Sequence, residues 1–460
     1  MKSRTKFRFL NPRLAQTQEL VKKSTERSRE DKRVKVLIVG NGGREHALAW
    51  KLLQSQRIEQ VVCVPGNGGT ATMERCQNLP LSVDDFEGIG SFARSHDIDL
   101  VVVGPELPLA LGITDYLQRQ GIVVFGPTRA GAQIEASKSW AKALMQEAKI
   151  PTAQAAVFTD LAAAKAYAKA QLAPLVIKAD GLAAGKGVTV AATVEEAQGA
   201  IEAIFQGQFG NAGKFVLVEE CLTGKEVSVL ALTDGLTIRP LLPAQDHKRI
   251  GEGDTGENTG GMGAYAPAFL SSQMMARIES DVLQPAIASL QQRGIDYRGV
   301  LYAGLMITPD GDFKVLEFNC RFGDPETQVI LPLLETPLED LLLACAQQRL
   351  SSLPPISWKA YASACVVAAA GGYPGAYRKG QVITGINAAA ALSACVFHAG
   401  TKLEEQQLLT DGGRVLGVTG IGSTFDAARA IAYQAIACIH FEGMYYRRDI
   451  GTAVKSAVNL

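Results

Sequence analysis

Short apolar runs alternate with glycine-rich turns and helical stretches from residue 34 onward. The apolar runs are Val34–Val39, Gln60–Pro65, Ile98–Val103 and Ile122–Phe125, and a turn containing glycine follows each of them. Strands that alternate with helices in this way predict a parallel, doubly wound sheet. Ligands of such sheets bind beyond the carboxyl ends of the strands, which is where these turns lie.

The hydrophobic pattern changes at Pro151. Residues 129–150 have the amphipathic spacing of one helix, and Pro151 ends it. The next stretch predicts a small α+β unit with a helix at Leu161–Ala170 and strands at Leu175–Lys178 and Val188–Ala191.

The second half of the chain contains longer strands and one long polar segment. Its predicted elements are strands Phe215–Glu219 and Glu226–Leu232, a polar loop Asp246–Gly263, a helix Ser271–Arg293, and strands Gly299–Ile307 and Phe313–Phe318 paired across Pro309-Asp310-Gly311. Pro354-Pro355 marks a boundary, and residues 356–460 predict strands and hairpins with one helix, Thr424–Ile439.

Composition excludes several classes of protein. The 460 residues are 47% hydrophobic and 20% charged, which allows large cores and excludes wholesale disorder. The 46 basic and 46 acidic residues give no overall basic field for nucleic acid, and no apolar run reaches the roughly 18 residues of a membrane span. The eight cysteines form no CxxC pair, which argues against a zinc ribbon or a disulfide framework and fits a reducing cytosol.

The basic residues are concentrated at the start of the chain. Residues 1–33 hold 11 Lys/Arg and four Asp/Glu, and they lack the apolar region of a secretory signal. We expect a mostly disordered extension. A misplaced start codon and a nucleic-acid-binding arm are the alternatives.

Two glycine-rich segments are candidate phosphate sites. The turn Gly40–Gly43 joins a strand to a helix, where backbone N–H groups can meet a phosphate. Its sixth position is Glu45 and not the glycine of a dinucleotide fingerprint, so a phosphate-bearing small molecule is favoured over NAD, with a plain turn as the alternative. The loop 178–188 holds three glycines and two lysines, lacks the Walker spacing and joins two strands, which favours a flap over a triphosphate.

Two strand ends carry candidate ligands. Glu219 and Glu226 follow an apolar strand and can accept hydrogen bonds from an adenine amine or ribose hydroxyls, although charged strand ends are usually solvated. Glu317 and Asn319 stand two apart on a strand, so they share one face and suit Mg²⁺. Arg321 follows and can grip a carboxylate or phosphate with two hydrogen bonds.

Together these segments resemble the phosphoribosylamine–glycine ligase family of ATP-grasp enzymes. The matching runs include VLIVGNGGREHALAWKL (36–52), VIKADGLAAGKGV (176–188), AQDHKRIGEGDTGENTGGMGAYAP (244–267), EFNCRFGDPETQ (317–328) and AAGGYPGAY (369–377). The resemblance covers about residues 34–460. It implies an ATP-dependent joining of glycine to 5-phospho-β-D-ribosylamine through an acyl phosphate, in de novo purine synthesis.

The resemblance also implies a fold and its divisions. We expect an α/β and α+β chain with an N-terminal doubly wound parallel sheet, an ATP-grasp fold with a mobile lid subdomain, and a small C-terminal α+β domain. The expected limits are 1–33 for the extension, 34–135 for the N-terminal domain, 136–345 for the ATP-grasp domain with its lid at about 152–216, and 356–460 for the C-terminal domain. We expect a cytoplasmic monomer that binds only small molecules and neither nucleic acid nor membrane.

Residue roles follow from the motif matches. The residues that would hold ATP are Lys142, Lys178 and, more weakly, Lys138 for the phosphates, the loop residues Asp180, Gly181, Gly185, Lys186 and Gly187, Glu219 and Leu222 for adenine, and Glu226 for ribose. Glu317 and Asn319 would bind Mg²⁺ or Mn²⁺, while the apolar stretch 303–307 offers no ligand for a second ion.

Substrate and catalytic roles are implied in the same way. Arg321, Lys186 and Asp246 would act on the reacting groups, with Arg321 countering the acyl-phosphate charge. The predicted substrate-binding residues are Gly42, Gly43, Glu45, Pro105 and Glu106 for the phosphoribosyl end, and His247, Lys248, Asn258, Thr259, Gly260, Gly261, Met262 and Asp324 for the rest of the pocket. The alternatives are another purine-pathway ligase of the same fold and a nucleotide-binding protein without turnover.

Overall fold

The computed structural model describes residues 33–182 and 187–452. The predicted extension therefore lies outside the described residues except for Arg33, and so do residues 183–186 of the predicted phosphate flap and residues 453–460. Across the two described ranges, no helix combines the length and the apolar character that crossing a membrane requires.

The first sheet has five parallel strands in the order β3-β2-β1-β4-β5. Its strands are β1 (Val34–Gly40), β2 (Ile58–Pro65), β3 (Cys76–Asn78), β4 (Leu100–Val103) and β5 (Val124–Phe125), and the helices between them are α1 (Gly43–Leu52), α2 (Phe86–Ser95), α3 (Glu106–Leu111) and α4 (Ile113–Gln118). Every residue of β4 is buried, as expected for a parallel strand covered on both faces. The predicted parallel sheet is confirmed.

The strand order of this sheet places two turns at one crevice. The chain runs from β1 out to β3 and then returns to β4 on the other side of β1, so the order reverses between β1 and β4. Open α/β sheets bind ligands outside the carboxyl ends of the strands at such a point. The turns Gly40–Gly43 and Gly104–Glu106 lie there.

The single helix predicted at 129–150 is wrong. The structure has two helices, α5 (Arg129–Ala136) and α6 (Lys138–Glu147), separated by Ser137. Ser137 is extended, and its side-chain oxygen accepts a hydrogen bond from the backbone N–H of Trp140. A serine in this position caps a new helix, and the amphipathic spacing of the segment hides the break.

The segment after Pro151 forms a separate four-stranded sheet, here called the lid sheet. Its elements are β6 (Ala155–Phe158), α7 (Leu161–Gln171), β7 (Leu175–Ala179), β8 (Val188–Ala191), α8 (Val194–Phe205) and β9 (Val216–Glu220). The strand order is β6-β9-β7-β8, so β9 lies inside the sheet. The lid sheet therefore extends to Glu220, past the predicted limit of about 216.

The next sheet, here called the central sheet, has the order β11-β10-β16-β17. The strands from this part of the chain are β10 (Lys225–Thr233), β11 (Ile238–Pro240), β12 (Gln245–Asp246), β13 (Arg249–Gly251), β14 (Thr255–Asn258), β15 (Gly263–Ala266), β16 (Gly299–Ile307) and β17 (Phe313–Asn319). The predicted antiparallel pairing of β16 with β17 is confirmed. One hydrophobic cluster joins β1 and β4 to β10 and β16, so the N-terminal and central sheets share a core.

Two predictions for this region need correction. The stretch Asp246–Gly263 is more than a loop, because β13 and β14 pair in it as a hairpin. The predicted helix Ser271–Arg293 consists of α9 (Ser272–Ile278), a π-helical segment Glu279–Leu283 and α10 (Gln284–Gln292). Pro285 has no N–H to donate, which interrupts the regular helical hydrogen bonds at this place.

The last sheet combines middle and C-terminal segments in the order β12-β15-β18-β22-β19. The remaining elements are α11 (Thr327–Ile330), α12 (Leu338–Ala346), β18 (Ala362–Ala369), α13 (Ile386–Ala391), β19 (Cys395–His398), β20 (Thr401–Glu404), β21 (Gln407–Thr410), β22 (Arg414–Gly422) and α14 (Phe425–Ile436). The prediction of one C-terminal helix missed α13, a six-residue alanine-rich helix too short to show a periodic pattern. Because β15 pairs with β18, the C-terminal segment is attached directly to the predicted substrate loop.

Candidate active site

A large cavity lies between the lid sheet, the central sheet and loops from both ends of the chain. Its volume is about 1170 Å³. The predicted site residues that line it are Pro105, Glu106, Lys138, Lys142, Lys178, Gly181, Gly187, Glu219, Leu222, Glu226, Asp246, Lys248, Asn258, Thr259, Gly260, Glu317, Asn319, Arg321 and Asp324. The structure therefore brings most of the predicted site together, although these residues are spread over more than 200 positions.

Two buried lysines share one carboxylate at the lid end of the cavity. Lys142 Nζ lies 3.1 Å from Glu219 Oε1, and Lys178 Nζ lies 2.7 Å from Glu219 Oε2. Burial lowers the pKa of Lys142, and the Glu219 carboxylate partly offsets this effect. A triphosphate can bind two lysines held in this way, because their charges are already fixed by the protein.

This arrangement changes the interpretation of Glu219. The sequence suggested that its carboxylate accepts a hydrogen bond from adenine, but both carboxylate oxygens are taken by lysines. Leu222 lines the cavity two residues beyond the last strand of the lid sheet. Glu226 is the second residue of β10 and pairs with Lys248 at 2.8 Å.

The predicted metal ligands lie on the floor of the cavity. Glu317 and Asn319 alternate with Phe318 along β17, and both line the cavity. Glu317 pairs across the sheet with Gly304, so the residue directly opposite it has no side chain. Lys138 Nζ donates to the carbonyl of Gly181 at 2.8 Å. Burial lowers the pKa of Lys138, and the charge of Glu317 is the strongest one that opposes this lowering.

Arg321 is held by two carboxylates. Its Nη2 lies 2.9 Å from Glu135 Oε1, and its Nε lies 3.2 Å from Glu106 Oε2. Burial opposes the charge of the guanidinium, but Glu135 and Glu106 more than offset this and raise the pKa of Arg321. Arg321 therefore stays positively charged at the edge of the cavity, and Glu106 serves as its partner.

A second buried acidic cluster lies near the substrate loop. The Asp246 side chain is only 5% exposed, and Lys248 Nζ lies 3.9 Å from its Oδ2. Its Oδ1 is buried with no hydrogen-bond partner among the residues described. Burial and then the Glu326 carboxylate raise the pKa of Asp246 well above its ordinary value. A carboxylate oxygen without a hydrogen-bond partner, on a group whose pKa is raised, is a candidate acceptor for an amine proton in a substrate cavity.

Several cavity residues were missed by the sequence analysis. Glu326 is buried and accepts hydrogen bonds from Ser228 at 2.9 Å and from Tyr302. Arg414 lies on β22 and pairs with Asp324 at 3.2 Å, and Tyr373 lies in the turn after β18. Glu326 lies inside the EFNCRFGDPETQ run and Tyr373 inside AAGGYPGAY, so the motifs contained a signal for both, whereas nothing in the sequence marks Arg414.

The Gly40–Gly43 turn does not line the cavity as predicted. Glu45 folds back over the turn, and its Oε2 accepts a hydrogen bond from the backbone N–H of Gly42 at 2.6 Å. An added Cβ at Gly104 would lie 1.9 Å from Glu45 Oε1, so the glycines make room for this carboxylate. Gly42, Gly43 and Glu45 are not among the residues that line the cavity, whereas Arg44, in the first turn of α1, lines it.

His247, Gly261 and Met262 are also not among the residues that line the cavity. His247 Nε2 accepts a hydrogen bond from the backbone N–H of Gly451 at 3.2 Å, so this histidine fastens the C-terminal segment. Met262 is fully buried. Gly261 has a positive φ of 111°, and an added Cβ there would lie 2.6 Å from Asp246 Oδ1, so this glycine lets the chain pass close to the acid.

The predicted loop Asp180–Gly187 is partly described. The Asp180 carboxylate does not line the cavity, because it accepts hydrogen bonds from Ser137 and Ser139 at the start of α6. Gly181 and Gly187 line the cavity on either side of the gap. Gly185 and Lys186 lie outside the described residues, so their predicted roles stay predictions.

Comparisons with known proteins agree across the chain. Models of the phosphoribosylglycinamide synthetase domains match it in order: the N domain at residues 34–135, the ATP-grasp (A) domain at 136–327 and the C domain at 363–453. A phosphoribosylamine–glycine ligase from Nostoc sp. is 75% identical over 425 residues, which cover 92% of this chain and 100% of the relative. Another from Synechocystis sp. is 57% identical over 419 residues, 91% of this chain and 99% of the relative.

A solved structure gives the same result. The crystal structure of a phosphoribosylamine–glycine ligase from Thermotoga maritima superposes with a TM-score of 0.80 at 34% identity, covering 91% of this chain and 100% of that one. The expected ATP-grasp fold is therefore confirmed. The chain belongs to the phosphoribosylglycinamide synthetase family and is an ATP-dependent ligase of the phosphoribosylamine–glycine type.

Proposed function

We propose that this chain joins glycine to 5-phospho-β-D-ribosylamine, giving glycinamide ribonucleotide, ADP and phosphate. The observation that carries the proposal is that one continuous cavity has different groups at its two ends. Its lid end holds the paired lysines Lys142 and Lys178, and its far end holds Asp246, Arg321 and Asp324. A nucleotide fits the first end and two small polar substrates fit the second, with Glu317 and Asn319 between them.

We assign the lid end to ATP. Lys142 and Lys178 bind the phosphates, the loop Asp180–Gly187 with Lys186 closes over them, and the backbone at Leu222 receives adenine. Glu226 binds a ribose hydroxyl, and Lys248, at 2.8 Å, orients its carboxylate. The support for this assignment is that Lys142 and Lys178 are held together by Glu219 at the end of the lid sheet and line the same cavity as Leu222 and Glu226.

The donor atoms at β17 suit Mg²⁺ or Mn²⁺. A carboxylate from Glu317 and an amide oxygen from Asn319 share one face, and hard divalent cations prefer such oxygen ligands. Bound there, the ion would screen the charge of the transferring phosphoryl group. Asn319 Oδ1 is oriented by Arg321 Nη2 at 3.3 Å.

The reaction proceeds in two displacements. A carboxylate oxygen of glycine attacks the terminal phosphorus of ATP, which forms glycyl phosphate and releases ADP. The amine then attacks the glycyl carbonyl carbon, phosphate leaves with the bonding electron pair, and the amine loses one proton. Arg321 stabilises the charge of the acyl phosphate, and Asp246 Oδ1 accepts the amine proton, because it is buried, unpaired and raised in pKa.

The remaining expectations are proposals of the same kind. We propose that the N-terminal unit spans 34–135, the ATP-grasp unit 136–345 with the lid inside it, and the C-terminal unit 356–460. We also propose a monomer that works in the cytoplasm on small molecules and binds neither nucleic acid nor membrane. Analytical ultracentrifugation of the full chain tests the monomer directly.

The test of the reaction is ADP release measured with each substrate omitted in turn. We expect release only when ATP, glycine and freshly formed phosphoribosylamine are all present together with Mg²⁺ or Mn²⁺. Equal release when another carboxylic acid replaces glycine would assign the chain to a different ligase reaction. No release under any condition, with ATP still bound, would support a nucleotide-binding protein without turnover.

A further inference from the structure

The C-terminal segment reaches into the far end of the cavity at one peptide unit. The backbone N–H of Gly260 donates to the hydroxyl oxygen of Tyr373 at 3.0 Å, and the Gly260 carbonyl accepts from Arg414 Nη1. Both sides of a single residue in the substrate loop are therefore bonded to side chains from more than 100 positions away. Gly260, Tyr373 and Arg414 all line the cavity.

Arg414 makes a second set of contacts that links this peptide to a site carboxylate. Its Nη1 also donates to the carbonyl of Asp324 at 2.7 Å, and its Nη2 lies 3.2 Å from Asp324 Oδ2. The guanidinium lies over Gly260, because an added Cβ there would be 3.0 Å from its Cζ. Arg414 thus holds the substrate loop and the loop after β17 in one arrangement.

The position of Tyr373 is itself fixed by the fold. Its ring lies against Gly413, where an added Cβ would come within 2.3 Å of the ring, and the backbone N–H of Ala370 donates to the Gly413 carbonyl at 2.8 Å. The residue before Arg414 thus packs against Tyr373. The two side chains that hold Gly260 are therefore set by the same end of β22.

The peptide that they hold lies beside the groups proposed to act on the amine. Gly261 follows Gly260 and passes against the Asp246 carboxylate, and Asp324 Oδ2 lies 3.2 Å from where a Cβ of Gly42 would be. Gly42 follows β1, so Asp324 faces the crevice of the N-terminal sheet. A carboxylate can accept hydrogen bonds from ribose hydroxyls, and its place at this crevice favours the sugar-phosphate amine over glycine as the group bound there.

We propose that Tyr373 and Arg414 are positioning residues for the amine substrate: they hold Gly260 and Asp324 at the geometry that binds a sugar-phosphate amine. The inference rests on the proposed function and extends it by naming the C-terminal side chains that complete this end of the site. Tyr373 and Arg414 make none of the contacts described at the nucleotide end, so ATP binding does not depend on them.

The test compares Tyr373→Phe and Arg414→Lys with the matched control Tyr445→Phe. The Tyr445 hydroxyl also bonds to the substrate-loop region, where it donates to the carbonyl of Ile250 at 2.9 Å, but Tyr445 does not line the cavity. We expect Tyr373→Phe to raise the KM for phosphoribosylamine about fivefold, as the loss of one neutral hydrogen bond would. Arg414→Lys should raise it about tenfold or more, since hydrogen bonds to a charged group are lost.

The accompanying measurements separate positioning from folding. In Tyr373→Phe, the KM for ATP and the Kd for ADP should stay within twofold of wild type, and the melting temperature within a few degrees. Tyr445→Phe should match wild type in every measurement. An unchanged KM for phosphoribosylamine in both Tyr373→Phe and Arg414→Lys overturns the proposal, and so do equal rises in KM for ATP and amine. If the wild-type chain itself releases no ADP, the proposed function fails first.

Discussion

Replacing Glu219 with glutamine should destabilise the protein far more than the same change at its neighbour Glu220. Glu219 is 3% exposed and is the carboxylate between Lys142 and Lys178, at 3.1 and 2.7 Å. Glu220 pairs with Lys314 at 2.6 Å, but each of these two side chains is 36% exposed. The two variants thus remove one charge each, in adjacent residues, from a buried and from an exposed ion pair.

The magnitudes follow from burial. Removing one partner of a buried pair costs about 3–5 kcal/mol, because the remaining charge is left without compensation. An exposed pair contributes about 1 kcal/mol or less, because water screens it. We therefore expect Glu219→Gln to lower the urea midpoint of unfolding clearly, while Glu220→Gln stays near wild type.

The same change should weaken nucleotide binding. Glu219 binds the ammonium groups of both Lys142 and Lys178 and opposes the lowering of the Lys142 pKa by burial, so the glutamine variant should no longer hold the two lysines in place for the phosphates. We expect the Kd for ATP, measured by calorimetry, to rise about tenfold, which is the loss of one charge-assisted contact to phosphate. Equal urea midpoints and equal ATP affinities in the two variants would refute the reasoning.

Two further predictions concern the metal and the pH response. Glu317→Gln should reduce ADP release by about a hundredfold or more, since a lost metal ligand costs at least as much as a lost outer-shell partner, and near-normal rates would contradict the metal assignment. Burial lowers the pKa of His398 to about 4. As the pH falls, the unfolded chain therefore binds a proton at this histidine before the folded chain does. The stability that the neutral histidine contributes is present above about pH 6.5 and is lost as the pH falls toward 4. The loss of stability should reach about 2 kcal/mol at pH 5. The urea midpoints at pH 7 and pH 5 should therefore differ less in His398→Asn than in wild type. An equal difference in both proteins would rule out this histidine as the cause of the pH dependence.

The strands of the first sheet and their parallel arrangement were predictable because buried strands leave apolar runs in the sequence. β4 is an unbroken apolar run and β1 is interrupted only by Lys35, since a parallel strand covered on both faces has few polar positions. The break at Ser137 was not predictable from periodicity, because α5 and α6 are both amphipathic and continue the same pattern. There a single capping serine outweighs the hydrophobic signal.

In the site, too, spacing along one strand could be seen in the sequence, whereas contacts between distant segments could not. Glu317 and Asn319 were found from their spacing on one strand, which fixes a shared face. His247 does not line the cavity although its motif neighbours do, because its Nε2 bonds to the backbone N–H of Gly451 in the C-terminal segment. Arg414 was missed because its value comes from contacts with Gly260 and Asp324, 154 and 90 positions away.

The central claim is that ATP and a divalent ion occupy the end of the cavity bounded by Lys142, Lys178, Glu317 and Asn319. A crystal structure of the chain with a non-hydrolysable ATP analogue and Mn²⁺ tests it most directly, because Mn²⁺ can be located by its anomalous scattering. We expect phosphate oxygens within hydrogen-bond distance of both lysine Nζ atoms and the ion bound to Glu317 and Asn319. An analogue bound elsewhere in the molecule, with no ion at β17, would show that this end of the cavity is not the ATP site.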